Sequence, residues 1–171
     1  NNIVVSTVMS NYGFKQAIEK FNFDLIETPV GDKYVAEAMK KYDAALGGEQ
    51  SGHIIISDQL PVGDGLVTLI YVLKAMQHFG VALSDFKKEN LYEYPQKLTN
   101  LELENKLNDE ELEYINQIAL DMSIKKDLDG RYLIRNSGTE PLLRVLVEAK
   151  SNEAMEDFSN ELITKINKYL N

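Results

Sequence analysis

The sequence holds three arginines against fifteen lysines, and all three (Arg131, Arg135 and Arg144) fall within fourteen residues. Arg135 opens the loop RNSGTEP, residues 135–141. A bound anion wants donors converging from several directions. Arg135 offers a bidentate fork, Ser137 and Thr139 offer hydroxyls, and Gly138 lets backbone N–H groups approach closely. Arg131 and Arg135, four apart on a strand, share a face, and Arg144 lies just beyond the loop. The bland alternative, a strand-connecting turn with solvated arginines, uses the same residue types equally well.

A second polar loop is GGEQSGH, residues 47–53. Its glycines leave Glu49, Ser51 and His53 projecting near a strand end, where open α/β sheets bind ligands. A carboxylate and a hydroxyl suit sugar hydroxyls, and His53 is a candidate general base because imidazole titrates near neutrality. A tight turn with a polar rim is the alternative. TPVGDKYV (28–35) puts Asp32 at a helix start as an N-cap, with Lys33 within reach of an anion at that terminus. GDGL (63–66) reads likewise, with Asp64 as the cap. His78, beside Phe79 on an apolar helix, reads as structural. There is no GxGxxG, GxxxxGK[ST], HExxH or GxSxG pattern, and two isolated histidines with no cysteine make a poor zinc site.

These loops need elements to hold them. IVVSTVM (3–9) reads as a buried strand, and Phe14, Ala17, Ile18 and Phe21 then recur at helical spacing. FDLIET (23–28), a helix through Val35, Ala38, Met39 and Tyr42, then AALG (44–47) and HIIIS (53–57) continue the alternation. A long apolar helix carrying Leu66, Leu69, Ile70, Leu73 and Met76 follows. The order predicts a three-layer α/β domain with a mostly parallel sheet over 1–85. SDFKKENLYEYPQK is poor in aliphatics, and residues 86–97 read as a linker. Over 98–171, a strand with Leu101 and Leu103, a helix started by an Asn108/Glu111 capping box, strands at 131–135 and 142–150, and a helix from Ser151 predict a small α+β domain. Its sheet should be largely antiparallel.

The 171 residues carry a net charge of −9, against general nucleic-acid binding. No apolar run reaches the ~20 residues of a membrane span, the first residues lack a signal-peptide pattern, and the absence of cysteine fits a reducing cytoplasm.

Taken in order, TPVGDKYV, GGEQSGH, GDGL and GRYLIRNSGTEPLLRVLVEA resemble the second half of an α-D-phosphohexomutase, over nearly the whole chain. The Gln of GGEQSGH and the GDGL are similar to the branch acting on glucosamine phosphates; a phosphomannomutase or phosphoglucomutase, or a stand-alone sugar-phosphate binding module, are the alternatives. The resemblance implies reversible interconversion of glucosamine 6-phosphate and glucosamine 1-phosphate through a phosphoserine and a glucosamine or glucose 1,6-bisphosphate, with magnesium at the serine. It implies that Glu49 and Ser51 hold sugar hydroxyls and that His53 lies by the reacting oxygen. Arg135, Ser137, Gly138 and Thr139, with Lys33 and Arg144, would then clamp the unreactive phosphate. Asn136 stands where the family usually has Pro, and Lys33 where this branch usually has Arg. The phosphoserine and magnesium loops have no counterpart here. The expectation is therefore a substrate-recognition half, beginning inside the third domain and inactive without the N-terminal half.

Overall fold

A computed structural model describes residues 2–170. The chain divides into two compact units, residues 1–93 and 94–171.

The first unit runs β1 (Ile3–Thr7), α1 (Tyr12–Lys20), β2 (Asp24–Thr28), α2 (Asp32–Tyr42), β3 (Leu46–Gly48), β4 (Ile54–Ile56), α3 (Gly65–Phe79) and α4 (Leu83–Asn90). Its sheet has the order β2-β1-β3-β4, with β1 parallel to both β2 and β3. Right-handed crossovers stepping first to one side of β1 and then to the other put α1 and α2 on opposite faces. Val35 and Met39, one turn apart on α2, pack with Val5, Ala44 and Ile55 as the buried core. The sheet is mostly parallel, as the alternation predicts, except that β4 returns antiparallel to β3. Five intervening residues allow a hairpin but not a crossover.

One expectation needs correction here. Residues 83–90 form α4, so the segment read as a linker is helical at its start, and β5 already begins at Gln96. Lys87 pairs with Glu93 at 2.9 Å and Phe86 stacks near Phe21 and Phe79, contacts that its low aliphatic content does not reveal. The long apolar helix is present as α3, capped by Asp64 through the Val67 N–H at 2.8 Å, yet none of its residues is buried. Leu66, Leu69, Ile70 and Leu73 are 74%, 52%, 50% and 53% exposed. Among the described residues, no single helix is long and apolar enough to cross a membrane.

The second unit runs β5 (Gln96–Glu102), α5 (Asp109–Lys125), β6 (Gly130–Asn136), β7 (Leu142–Ala149) and α6 (Asn152–Leu170). Its sheet is antiparallel throughout, in the order β5-β7-β6. The Asn108/Glu111 capping box starts α5, and Ser151 Oγ accepts from the Ala154 N–H at the head of α6. Ile115, Ala119 and Met122 of α5 and Met155, Phe158, Leu162 and Ile166 of α6 bury against Leu143, Val145 and Val147. Alternation along β7 then turns Arg144 and Glu148 to the opposite face, and ladder pairing brings Arg135 and Arg131 of β6 alongside them.

Candidate functional site

In the first unit, the carboxyl ends of β1 and β3 open into a cavity of about 350 Å³ lined by Thr7, Met9, Gly31, Asp32, Glu49, Ser51 and His53. This is the crevice that forms where helices switch sides of a parallel sheet. The β3–β4 turn that supplies the last three residues is closed by the Gly52 N–H donating to the Glu49 carbonyl at 3.0 Å. Ser51 Oγ lies 3.1 Å from His53 Nδ1. That contact steadies the imidazole.

Glu49 is more constrained than a turn residue would be. Its Oε1 accepts from the Gly31 N–H at 2.8 Å, tying the turn to the entry of α2. Gly31, at φ 135°, is the N-cap of that helix, and no side chain caps it. The expectation that Asp32 is the N-cap is therefore corrected. Asp32 is the first helical residue, and its carboxylate accepts from the Lys33 N–H at 2.8 Å, where it still favours the positive end of the helix dipole. Lys33 is not brought into the cavity. Its ammonium is exposed and lies 3.8 Å from Glu37.

In the second unit, the loop 137–141 closes the β6–β7 hairpin, with the Ser137 N–H donating to the Leu142 carbonyl at 2.8 Å. The register puts Arg135 directly opposite Arg144. Like charges in this position repel. Partial burial first, and the Arg144 charge second, lower the Arg135 pKa from its ordinary value. Glu140 offsets little of this, lying 3.8 Å from Arg144. Ser137 is 2% exposed, and its Oγ and Arg144 Nε are buried without a hydrogen-bond partner. Buried polar atoms without partners are uncommon. Here one belongs to the opposed pair itself, as Arg144 Nε, and the other is the Ser137 hydroxyl, two residues beyond Arg135.

The third arginine does something else. Arg131 Nε donates to the fully buried carboxylate of Glu148, its ladder partner. The arginine cluster thus splits into two residues facing each other and one engaged in the sheet. Sequence reasoning also missed Lys106, whose Nζ donates to the Gly138 carbonyl at 2.7 Å. Asn136, standing where the family usually has Pro, donates from Nδ2 to the Leu107 carbonyl at 2.8 Å and so ties the loop down.

A mostly parallel-sheet unit with a polar cavity at its strand ends, followed by an antiparallel unit whose β6–β7 loop is flanked by arginines, is the architecture of a known two-domain pairing. The chain belongs to the phosphoglucomutase/phosphomannomutase family, matching its alpha/beta/alpha domain III over residues 1–94 and its C-terminal domain over 98–165. Among similar relatives, phosphoglucosamine mutase of Streptococcus agalactiae serotype Ia is 46% identical over 157 residues, 91% of this chain and 35% of that protein. The phosphoglucosamine mutase of Bacillus subtilis is 42% identical over 160 residues, 94% of this chain and 36% of that protein. The chain thus spans about 35% of the length of the curated relatives it matches. Aspergillus fumigatus N-acetylphosphoglucosamine mutase shares the fold at 20% identity, with a TM-score of 0.81 over 99% of this chain and 39% of that one. Its complex with GlcNAc-6P and magnesium gives a TM-score of 0.78 over 99% of this chain and 42% of that one.

Proposed function

We propose that this chain is the substrate-recognition part of a phosphoglucosamine mutase, which interconverts glucosamine 6-phosphate and glucosamine 1-phosphate by way of a phosphoserine and a sugar 1,6-bisphosphate. The observation that carries the reading is the opposition of Arg135 and Arg144 beside the partnerless Ser137 hydroxyl. A phosphate dianion set there turns a repulsion into two attractions and supplies the missing acceptor. Gly138 and Thr139 complete the cradle with backbone and hydroxyl donors. In the first unit, Glu49 and Ser51 hold sugar hydroxyls. His53, oriented by Ser51, accepts the proton of the sugar hydroxyl that attacks phosphorus.

The nucleophilic serine and the metal belong, in this reading, to polypeptide outside the chain. Among the described residues, no group of three or more His, Asp or Glu side chains could hold a metal ion. The residues present do not fit magnesium, and no step on this chain is routed through it.

The test is a titration of the 171-residue chain with glucosamine 6-phosphate, followed by calorimetry or amide shifts, beside a coupled assay for turnover. Losing a charge-assisted contact of about 1.5–3 kcal/mol should raise Kd at least tenfold in Arg135→Ala. No turnover is expected with magnesium and a sugar bisphosphate added. Equal affinity of the wild type and Arg135→Ala, or turnover above a heat-killed control, would refute the assignment.

A further inference from the structure

The loop 135–141 is held from one side. Lys106 Nζ donates to the Gly138 carbonyl, and Asn136 Nδ2 donates to the Leu107 carbonyl, so two consecutive residues of one segment anchor the two sides of Ser137. Neither contact is local in sequence, the first spanning 32 residues and the second 29. Lys106 itself is exposed and has no role in the core.

A carbonyl held in place also aims the amide behind it. The peptide unit joining Gly138 to Thr139 is planar and trans, with its C=O and N–H pointing in opposite directions. Fixing the Gly138 carbonyl on Lys106 therefore fixes the Thr139 N–H to point away from Lys106. Among the described residues, that N–H has no protein partner. Without the lysine, a glycine-containing unit is free to rotate, and the carbonyl can swing its negative end toward the place where an anion sits. An anion cradle must keep its carbonyls turned out and its N–H groups turned in. The lysine enforces that choice at one peptide.

We propose that Lys106 is a positioning residue of the anion site, clamping the Gly138 carbonyl so that the Thr139 N–H is presented to the bound phosphate group. The inference rests on the anion reading of this loop. It assigns Lys106 no contact with the ligand, because the N–H it aims lies on the opposite side of the peptide.

The experiment uses the whole chain and inorganic phosphate, with amide chemical-shift titration to read both affinity and site. Lys106→Met removes the donor and keeps the stem, Lys106→Arg keeps a donor, and Lys125→Met removes one equal charge from the end of α5. Exposed charged contacts of this kind are worth enough to shift Kd about two- to fivefold. We expect that increase in Lys106→Met, with a smaller phosphate-induced shift at Thr139, near wild-type affinity in Lys106→Arg and in Lys125→Met, and melting temperatures unchanged. If Arg135→Ala weakens binding but Lys106→Met does not, the clamp is refuted and the anion site stands. If Lys106→Arg binds as poorly as Lys106→Met, or Lys125→Met as poorly as either, the clamp also fails. If Arg135→Ala leaves phosphate affinity intact, the anion reading itself falls.

Discussion

Replacing Arg131 with alanine leaves the Glu148 carboxylate without its cationic ladder partner. The Glu148 side chain is 0% exposed, and that of Arg131 is only 17% exposed, so water cannot readily take over. Breaking a buried pair by removing one partner typically costs about 3–5 kcal/mol, mostly the penalty of the charge left behind. For a unit of this size, each kcal/mol moves the melting temperature by about 4–8 °C, so a fall of at least roughly 12 °C is expected. The double variant Arg131→Met/Glu148→Leu removes both charges and should recover most of the loss, because a buried pair and a well-packed apolar pair are often of similar worth. Thermal and urea unfolding followed by circular dichroism measure both effects. Below the transition, phosphate affinity of Arg131→Ala should match wild type, unlike that of Arg135→Ala. A stability loss below about 1 kcal/mol, or a large loss of phosphate affinity in the folded protein, would refute the division of the arginines into one sheet residue and two anion residues.

Gly47→Ala should destabilise the first unit by about 1–3 kcal/mol through overpacking, read from the urea midpoint. Its added Cβ would meet Met39 Sδ and lie 2.8 Å from Val35 Cγ1, where β3 and α2 pack closest. The Tyr132 pKa is raised from 10.0, first by burial and then by the Asp121 charge. The folded state keeps this proton where the unfolded chain loses it, so its stabilisation is complete below pH 10.0 and is lost as pH rises through the folded pKa. Tyr132→Phe should flatten the decline of melting temperature above that pH, and an unaltered decline would contradict the assignment.

What was legible in the sequence was local or periodic. The Asn108/Glu111 capping box and the Asp64 cap span three residues each, and side chains at that spacing meet in any helix start. The core of the second unit follows from the 3.6-residue spacing of α5 and α6 and the alternation of β7. The Asp32 cap was misread because the neighbouring Gly31 N–H is engaged by Glu49, eighteen residues on, which no local pattern announces. The role of Arg131 was recoverable in principle. A hairpin closing between Ser137 and Leu142 that pairs Arg135 with Arg144 must also pair Arg131 with Glu148. Treating the arginines as one cluster ignored that register. Lys106 left no comparable signal, since its contact depends on where the segment after β5 comes to lie beside the loop.

The unburied helix α3 has a consequence for how the first unit moves. Besides half-buried packing through residues such as Tyr71, Val72 and Met76, contacts at its ends hold it: Asp64 caps the Val67 N–H, the Thr68 hydroxyl donates to the Asp64 carbonyl at 2.7 Å, and the Gly80 N–H donates to Met76 O at 2.9 Å. End contacts are each worth about 1 kcal/mol, and an isolated helix of this length is marginal in water. With no residue in the core, α3 can unwind at a small fraction of the cost of opening β7, where Leu143, Val145 and Val147 are fully buried. In hydrogen exchange its amides should trade for deuterium early, while those of β7 persist until the second unit opens as a whole. Anything that comes to cover Leu66, Leu69, Ile70 and Leu73 would then register first as slowed exchange along α3, before either sheet responds.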